Sequence, residues 1–119
     1  MQTIRCATAA DWESWLASHH ELEGVWIQIA KRGSGVPSVT PEEATEIALC
    51  YGWIDSLRRS HDDVHFLQKY SPRRRGSSWS RLNAERAEAL IASGRMRAPG
   101  LAEIEAAKAD GRWDAAYGR

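Results

Sequence analysis

The stretch TPEEATEIALCYGWIDSLRR, residues 40–59, decides the fold because it holds one complete helix and the strand that follows it. Thr40 is a natural N-cap, Pro41 fits the first helical position, and Glu43 completes a capping box. Apolar residues then recur at helical spacing as far as Gly52, which is typical of a helix end. The following residues predict a strand, so helix and sheet are adjacent in the chain.

The segments on either side of this stretch predict the rest of one domain over residues 1–119. Upstream, a helix capped by Thr8 precedes a strand over residues 25–30. Downstream, strands over residues 53–59 and 64–70 predict a hairpin, and two helices follow, the first capped by Asn83. We therefore expect an α+β domain with a short, mostly antiparallel sheet of about three strands covered by about four helices.

Composition excludes several classes of protein. The chain is 43% hydrophobic and 27% charged, which is ordinary for a globular domain. It has no apolar run long enough for a membrane span and no apolar core of a secretory signal near its start. Its two cysteines are too few for a disulfide framework, so a cytoplasmic location is expected. No residue pattern predicts a metal site or a cofactor.

The formal net charge of zero hides two oppositely charged segments. Residues 1–55 carry 3 basic and 8 acidic side chains, a net of −5, whereas residues 56–86 carry 8 basic and 3 acidic side chains, a net of +5. The zero total argues against a general polyanion binder. Nucleic-acid binding through the basic segment is therefore the less favoured alternative.

The stretch RRRGSSWSRLN, residues 73–83, is the strongest candidate for a binding site. It concentrates arginines, hydroxyls and an indole just before a predicted helix start, where free N–H groups favour anions. The candidate ligand-binding residues here are Arg73, Ser78, Trp79, Ser80 and Asn83. The alternative interpretation is a solvated basic loop that balances the acidic first half.

The strand over residues 53–59 supplies two further candidates. Trp53 and Asp55 share one face with Arg59 and could line a pocket. Asp55 is the one carboxylate we would nominate as a general acid or base, although a structural ion pair is the simpler interpretation. Lys31 begins a Gly-rich stretch that lacks the spacing of a phosphate-binding P-loop. A flexible loop between two elements is therefore the favoured interpretation of this stretch.

The residues also resemble a known family. ALCYGWID (residues 48–55) is similar to a signature of the YdeI/OmpD-associated, or bacteriocin-protection, family, and SPRRR (71–75), GRM (94–96) and AAKADGRW (106–113) agree with it. The resemblance implies a bacterial protein with a role in stress or antimicrobial-peptide protection, possible envelope-protein association, and no agreed reaction. Longer members continue into a second basic helical region, so this chain is expected to be a short member or the first domain alone. The recurring polar positions map onto His19, Lys31, Glu43, Asp55, Arg73, Ser78, Ser80 and Asn83.

These observations favour a binding module for a small anionic ligand or an acidic protein segment. Nucleic-acid binding and a small enzyme that uses Asp55 are the alternatives. The predicted ligand-binding residues are Lys31, Trp53, Asp55, Arg73, Ser78, Trp79, Ser80 and Asn83. If acidic residues of the helix after Thr40 neutralise the arginines of residues 73–75, the opposite charges serve to hold the fold together. If those arginines remain unpaired beside Trp79, a local anion site is expected.

Overall fold

The computed structural model describes the whole chain, Met1–Arg119, as four strands and five helices. The strands are β1 (Thr3–Arg5), β2 (Val25–Ala30), β3 (Trp53–Ser60) and β4 (His65–Pro72). The helices are α1 (Ala9–His19), α2 (Pro41–Cys50), α3 (Arg81–Ala92), α4 (Ala98–Ala109) and α5 (Arg112–Ala116). The predicted α+β class is confirmed. None of the helices has both the length and the apolar character that crossing a membrane requires.

The strands form one mixed sheet in the order β1-β2-β4-β3. β1 runs parallel to β2, and the other two neighbouring pairs are antiparallel. The expectation of about three strands and four helices missed β1 and α5. These elements have 3 and 5 residues, too few to show a hydrophobic period, and they are defined by what they pair with and pack against.

Local signals placed most helix starts correctly. Capping boxes join Thr8 to Asp11 and Thr40 to Glu43, as predicted. The prediction that Asn83 caps α3 is wrong, because Ser80 is the N-cap and its Oγ accepts the backbone N–H of Asn83 at 3.1 Å. Both residue types are good caps, so sequence alone does not choose between two positions three residues apart.

The core lies between the sheet and the helices and is built around aromatic side chains. Trp12 and Trp53 are 0% and 1% exposed, and the Tyr70 ring lies 5.4 Å from that of Trp12. The indole N–H groups of both tryptophans have acceptors: Trp12 Nε1 donates to the carbonyl of Ala44 and Trp53 Nε1 to that of His20, both at 3.0 Å. These bonds satisfy polar groups that would otherwise be buried without partners.

Only one face of the sheet is covered by helices. Val25, Ile27 and Ile29 of β2 are fully buried in the hydrophobic core, whereas Trp26 and Gln28 on the opposite face are half-buried and outside that core. The alternation along β2 therefore separates a packed face from an uncovered one.

The helical layer is held together by a close approach at Gly100. A Cβ atom at this position would lie 2.4 Å from the carbonyl oxygen of Cys50 and 2.6 Å from that of Leu49. The backbone N–H of Arg97 also donates to the Cys50 carbonyl at 3.1 Å. The start of α4 can therefore pack onto the end of α2 only without a side chain at residue 100.

We expect Gly100→Ala to lower the free energy of unfolding by about 3 kcal/mol, because the added methyl group clashes with backbone atoms that cannot rotate away. Helix propensity alone predicts the opposite sign, a gain of about 1 kcal/mol. Urea denaturation measures the difference. Glu105→Ala, at an exposed site of the same helix, serves as the control and should change little. An unchanged or higher stability for Gly100→Ala would contradict the packing described.

Candidate functional site

A β-bulge reshapes the uncovered face where β3 meets β4. Asp55 pairs with Tyr70 and Arg58 pairs with Gln68, so two residues of β3 lie opposite one residue of β4. The two are Ser56 and Leu57, and the one is Lys69. A bulge bends its strand and re-aims its side chains.

The buried side chain of Gln68 holds this bulge in place. Its Nε2 donates to the carbonyl of Leu57 at 3.0 Å and to that of Lys69 at 3.4 Å. Its Oε1 accepts the Nε–H of Arg58 at 3.0 Å. Since Gln68 is 4% exposed, no solvent replaces these bonds easily, and the amide serves as the structural partner of the irregular backbone.

A cleft of about 390 Å³ opens beside the bulge. We call it the β3–β4 cleft, and its lining residues are Ile54, Ser56, Leu57, Lys69, Ser71, Pro72, Arg74 and Ser77. Its charged members are both cations, its polar members are hydroxyls, and it contains no carboxylate. Three apolar side chains complete the wall. This composition fits an anionic group attached to an apolar body.

Arg73 lies next to this cleft and is buried without a counterion. It is 6% exposed, forms no salt bridge, and its Nε and Nη2 atoms have no acceptor within the protein. Its guanidinium carbon lies 3.6 Å from the centre of the Trp79 ring. Burial lowers the pKa of the guanidinium to about 10, with Glu103 opposing that change, so Arg73 stays charged at neutral pH. An unpaired buried charge costs on the order of several kcal/mol.

Ser77 connects this charge to the cleft. Its Oγ accepts from Arg73 Nη1 at 3.3 Å, and the same Nη1 donates to the carbonyl of Ser78 at 3.3 Å. A hydroxyl that accepts a charged N–H keeps its own hydrogen free for another acceptor. Because Ser77 also lines the β3–β4 cleft, that hydrogen can be donated to an anion there.

The loop over residues 73–80 is held from several sides. The backbone N–H of Arg73 donates to the carbonyl of Gly52 at 3.0 Å, and Arg112 Nη1 donates to the carbonyl of Ser77 at 2.7 Å. The Trp79 ring meets that of Trp113 at a centroid distance of 5.0 Å. These contacts fix Arg73 and the backbone of the loop in one arrangement.

The chain matches the family described as a domain of unknown function, DUF8412, over residues 4–103. The chain belongs to the DUF8412 family. No curated protein and no solved structure matches it. The matched range of this DUF8412 domain contains every residue that lines the β3–β4 cleft, whereas α5, which braces the loop, lies outside it.

This match corrects the family resemblance noted in the sequence. The assignment to the YdeI/OmpD-associated family is wrong, because the family found over residues 4–103 is DUF8412. The resemblance rested on short stretches such as ALCYGWID (residues 48–55). This stretch contains the connection from α2 to β3, in which Gly52 adopts a φ of 76°, so part of the similarity reflects local backbone geometry. The envelope association and the protective role that the resemblance implied lose their basis.

The structure brings together only some of the predicted site residues. Arg73, Ser78 and Trp79 meet in the loop beside the cleft. Ser80 and Asn83 are next to them in the chain, but their mutual hydrogen bond forms the cap of α3. Their assignment to a ligand site stays a prediction.

The other predicted residues lie elsewhere. Trp53 belongs to the core, and its 1% exposure leaves no ring face open to a ligand. Asp55 is exposed on β3, forms no salt bridge, and lines neither of the two larger clefts. Lys31 lines a separate cleft of about 320 Å³ with Arg32 and Arg58, at the other end of β4.

Acidic residues of α2 do not neutralise the arginines at positions 73–75. None of the protein's salt bridges involves these arginines. Glu43 instead accepts the backbone N–H of Thr40 at 2.9 Å, and Glu46 pairs with Arg95 at 3.2 Å. All three arginines are without a salt bridge and Arg73 lies against Trp79, which is the outcome that a local anion site requires.

Sequence reasoning missed the cleft residues Ser56 and Lys69, whereas Arg74 and Ser77 lie in the predicted stretch 73–83 but were not among its named ligand-binding residues. The alternation along β4 did place Lys69 on the face opposite Tyr70, and this was the available signal. The bulge carries no such signal, because it depends on how β3 pairs with β4. No group of His, Cys, Asp and Glu in the structure could hold a metal ion.

We expect Gln68→Met to lower the free energy of unfolding by about 2 kcal/mol, because the carbonyl of Leu57 and the Nε–H of Arg58 lose their buried partner. Chemical denaturation measures this loss. Gln28→Met is the matched control, since Gln28 is half-buried on the uncovered face and should change stability by less than about 0.5 kcal/mol. Equal effects at the two positions would show that Gln68 does not hold the bulge.

Proposed function

We propose that this DUF8412 domain binds a small anionic molecule in the β3–β4 cleft, through a phosphate or carboxylate group. The observation that carries the proposal is the buried, unpaired guanidinium of Arg73 beside a cleft whose charged side chains are all cations. An uncompensated buried charge lowers the stability of the protein. Such a cost is typical of functional sites, and an anionic ligand would offset it by pairing with the charge.

The lining of the cleft supports a division of roles. Lys69 and Arg74 would contact the anion directly, with the Ser77 hydroxyl as a further donor. Arg73 would act through Ser77 as a positioning residue and supply a fixed positive potential. Ile54 and Leu57 would pack against the apolar part of the ligand. A volume of about 390 Å³ exceeds that of a lone phosphate ion and is in the range of small-molecule sites.

We expect inorganic phosphate and pyrophosphate to raise the melting temperature and to give a saturable signal in calorimetry. Arg74→Ala and Lys69→Ala should each weaken pyrophosphate binding about tenfold, the loss typical of one charged hydrogen bond. Arg95→Ala, which removes a surface arginine paired with Glu46 on the helical side, is the control and should bind normally.

The variant Arg73→Met tests whether the Arg73 charge serves anion binding or the stability of the fold. The variant keeps a long side chain against Trp79 but removes the buried charge, so stability without anions should be unchanged or higher while the phosphate-induced gain disappears. A destabilised variant that still binds pyrophosphate normally would contradict the proposal. So would a wild-type protein that shows no response at about 10 mM, a concentration that detects millimolar affinity. A glutamate-rich peptide that binds where pyrophosphate does not would point to an acidic protein segment instead.

The proposal includes a cytoplasmic location. Cys6 and Cys50 are both buried free thiols, which a reducing compartment preserves. Burial raises the pKa of the Cys6 thiol to about 11, with Asp11 adding to the effect, so it stays protonated and unreactive. Cell fractionation with a tagged protein tests this location, and recovery outside the cytoplasmic fraction would contradict it.

A further inference from the structure

The uncovered face of the sheet continues from the β3–β4 cleft across all four strands. The strand residues that project from this face by their register are Thr3, Arg5, Trp26, Gln28, Ala30, Ile54, Arg59, His65, Leu67, Lys69 and Ser71. They include three side chains with a permanent positive charge and no Asp or Glu. Arg74 adds a fourth cation at the rim of the cleft. The face is therefore complementary to a chain that carries repeated negative charges.

An aromatic platform lies in the middle of this face. Trp26, on the interior strand β2, is half-buried, and the guanidinium carbon of Arg59 lies 4.9 Å from the centre of its ring. Arg59 reaches it from β3 across β4. Unpaired bases stack on aromatic rings and on arginine planes, so this pair offers a base a flat and positively charged surface.

The platform and the cleft are neighbours. Lys69 pairs in register with Trp26 and also lines the β3–β4 cleft. Paired residues on adjacent strands have side chains about 5 Å apart. A polymer with one phosphate in the cleft would thus place the adjoining base near Trp26 and further phosphates toward Arg59 and Arg5. The four strands span about 14 Å, a width on which sheets of other nucleic-acid-binding domains stack two or three bases.

We propose that the β3–β4 cleft also accepts a backbone phosphate of single-stranded nucleic acid, with the strand lying across the uncovered sheet face. This inference rests on the proposed function. A single strand is favoured over a duplex because the platform can stack only unpaired bases. An acidic peptide would leave the platform unused, since it has no bases to stack on Trp26 and Arg59.

The test uses a fluorescein-labelled oligothymidylate of about ten nucleotides, within the site size of single-strand-binding domains. Fluorescence anisotropy at low salt should show saturable binding that weakens as a power of the salt concentration. Arg59→Ala and Trp26→Leu should each weaken binding about tenfold and leave pyrophosphate binding unchanged, whereas Arg74→Ala should weaken both. Arg95→Ala, outside the face, should bind the oligonucleotide as the wild type does.

The outcomes separate this inference from the proposed function. Pyrophosphate binding without oligonucleotide binding would overturn the nucleic-acid inference and leave the small-anion site standing, and failure of both ligands would overturn both. Oligonucleotide binding that Arg59→Ala and Trp26→Leu leave unchanged would also overturn it, because the sheet face would not be involved. Polyglutamate that competes as well as unlabelled oligothymidylate would identify an acidic protein segment as the partner. Since Arg59 is exposed, its variant should fold normally even if Trp26→Leu does not.

Discussion

The stacking of the Arg73 guanidinium on the Trp79 ring, at 3.6 Å, places a buried charge where the end of β4 meets the start of α3. Arg73 follows directly after β4 and is tied through its backbone to the glycine between α2 and β3. Trp79 precedes α3 and packs against Trp113 of α5. The contact thus lies at the junction of the sheet with α3 and α5, whose buried side chains belong to the same hydrophobic core. The contact partly replaces the solvation that the guanidinium loses, but it supplies no negative charge.

This arrangement explains what the neutral net charge conceals. Acidic side chains of the first half are engaged within the helical layer: Glu43 closes a capping box, Glu46 pairs with Arg95, and Glu13 pairs with Arg97. None of these carboxylates reaches the basic segment. The cations of β3, β4 and the following loop are left to define the electrostatic potential of the uncovered face. Charges that cancel in the total are separated in space, and the separation creates a surface for anions.

Much of the fold follows from local patterns, and the exceptions have physical causes. The capping boxes, the strand β2 and the β3–β4 hairpin are visible in the sequence because short-range spacing encodes them. β1 has only 3 residues and exists because β2 offers it a partner. Trp53 was a site candidate by its place at the head of a strand, but its indole is used to bond the His20 carbonyl within the core. A family resemblance drawn from short matching stretches was likewise wrong, and the match over residues 4–103 identifies DUF8412 instead.

The candidate site also combines features that local sequence patterns encode with features that only tertiary contacts set. The sequence by itself determined that Arg73, Ser78 and Trp79 are concentrated before a helix start, that Lys69 lies on the strand face opposite Tyr70, and that the chain is an α+β domain. Only the tertiary structure decided that Arg73 is buried without a counterion and that a bulge held by Gln68 opens a cleft beside it. The reason is that capping and alternation depend on residues close together in the chain. Burial, pairing register and the distance between opposite charges depend on which distant segments meet.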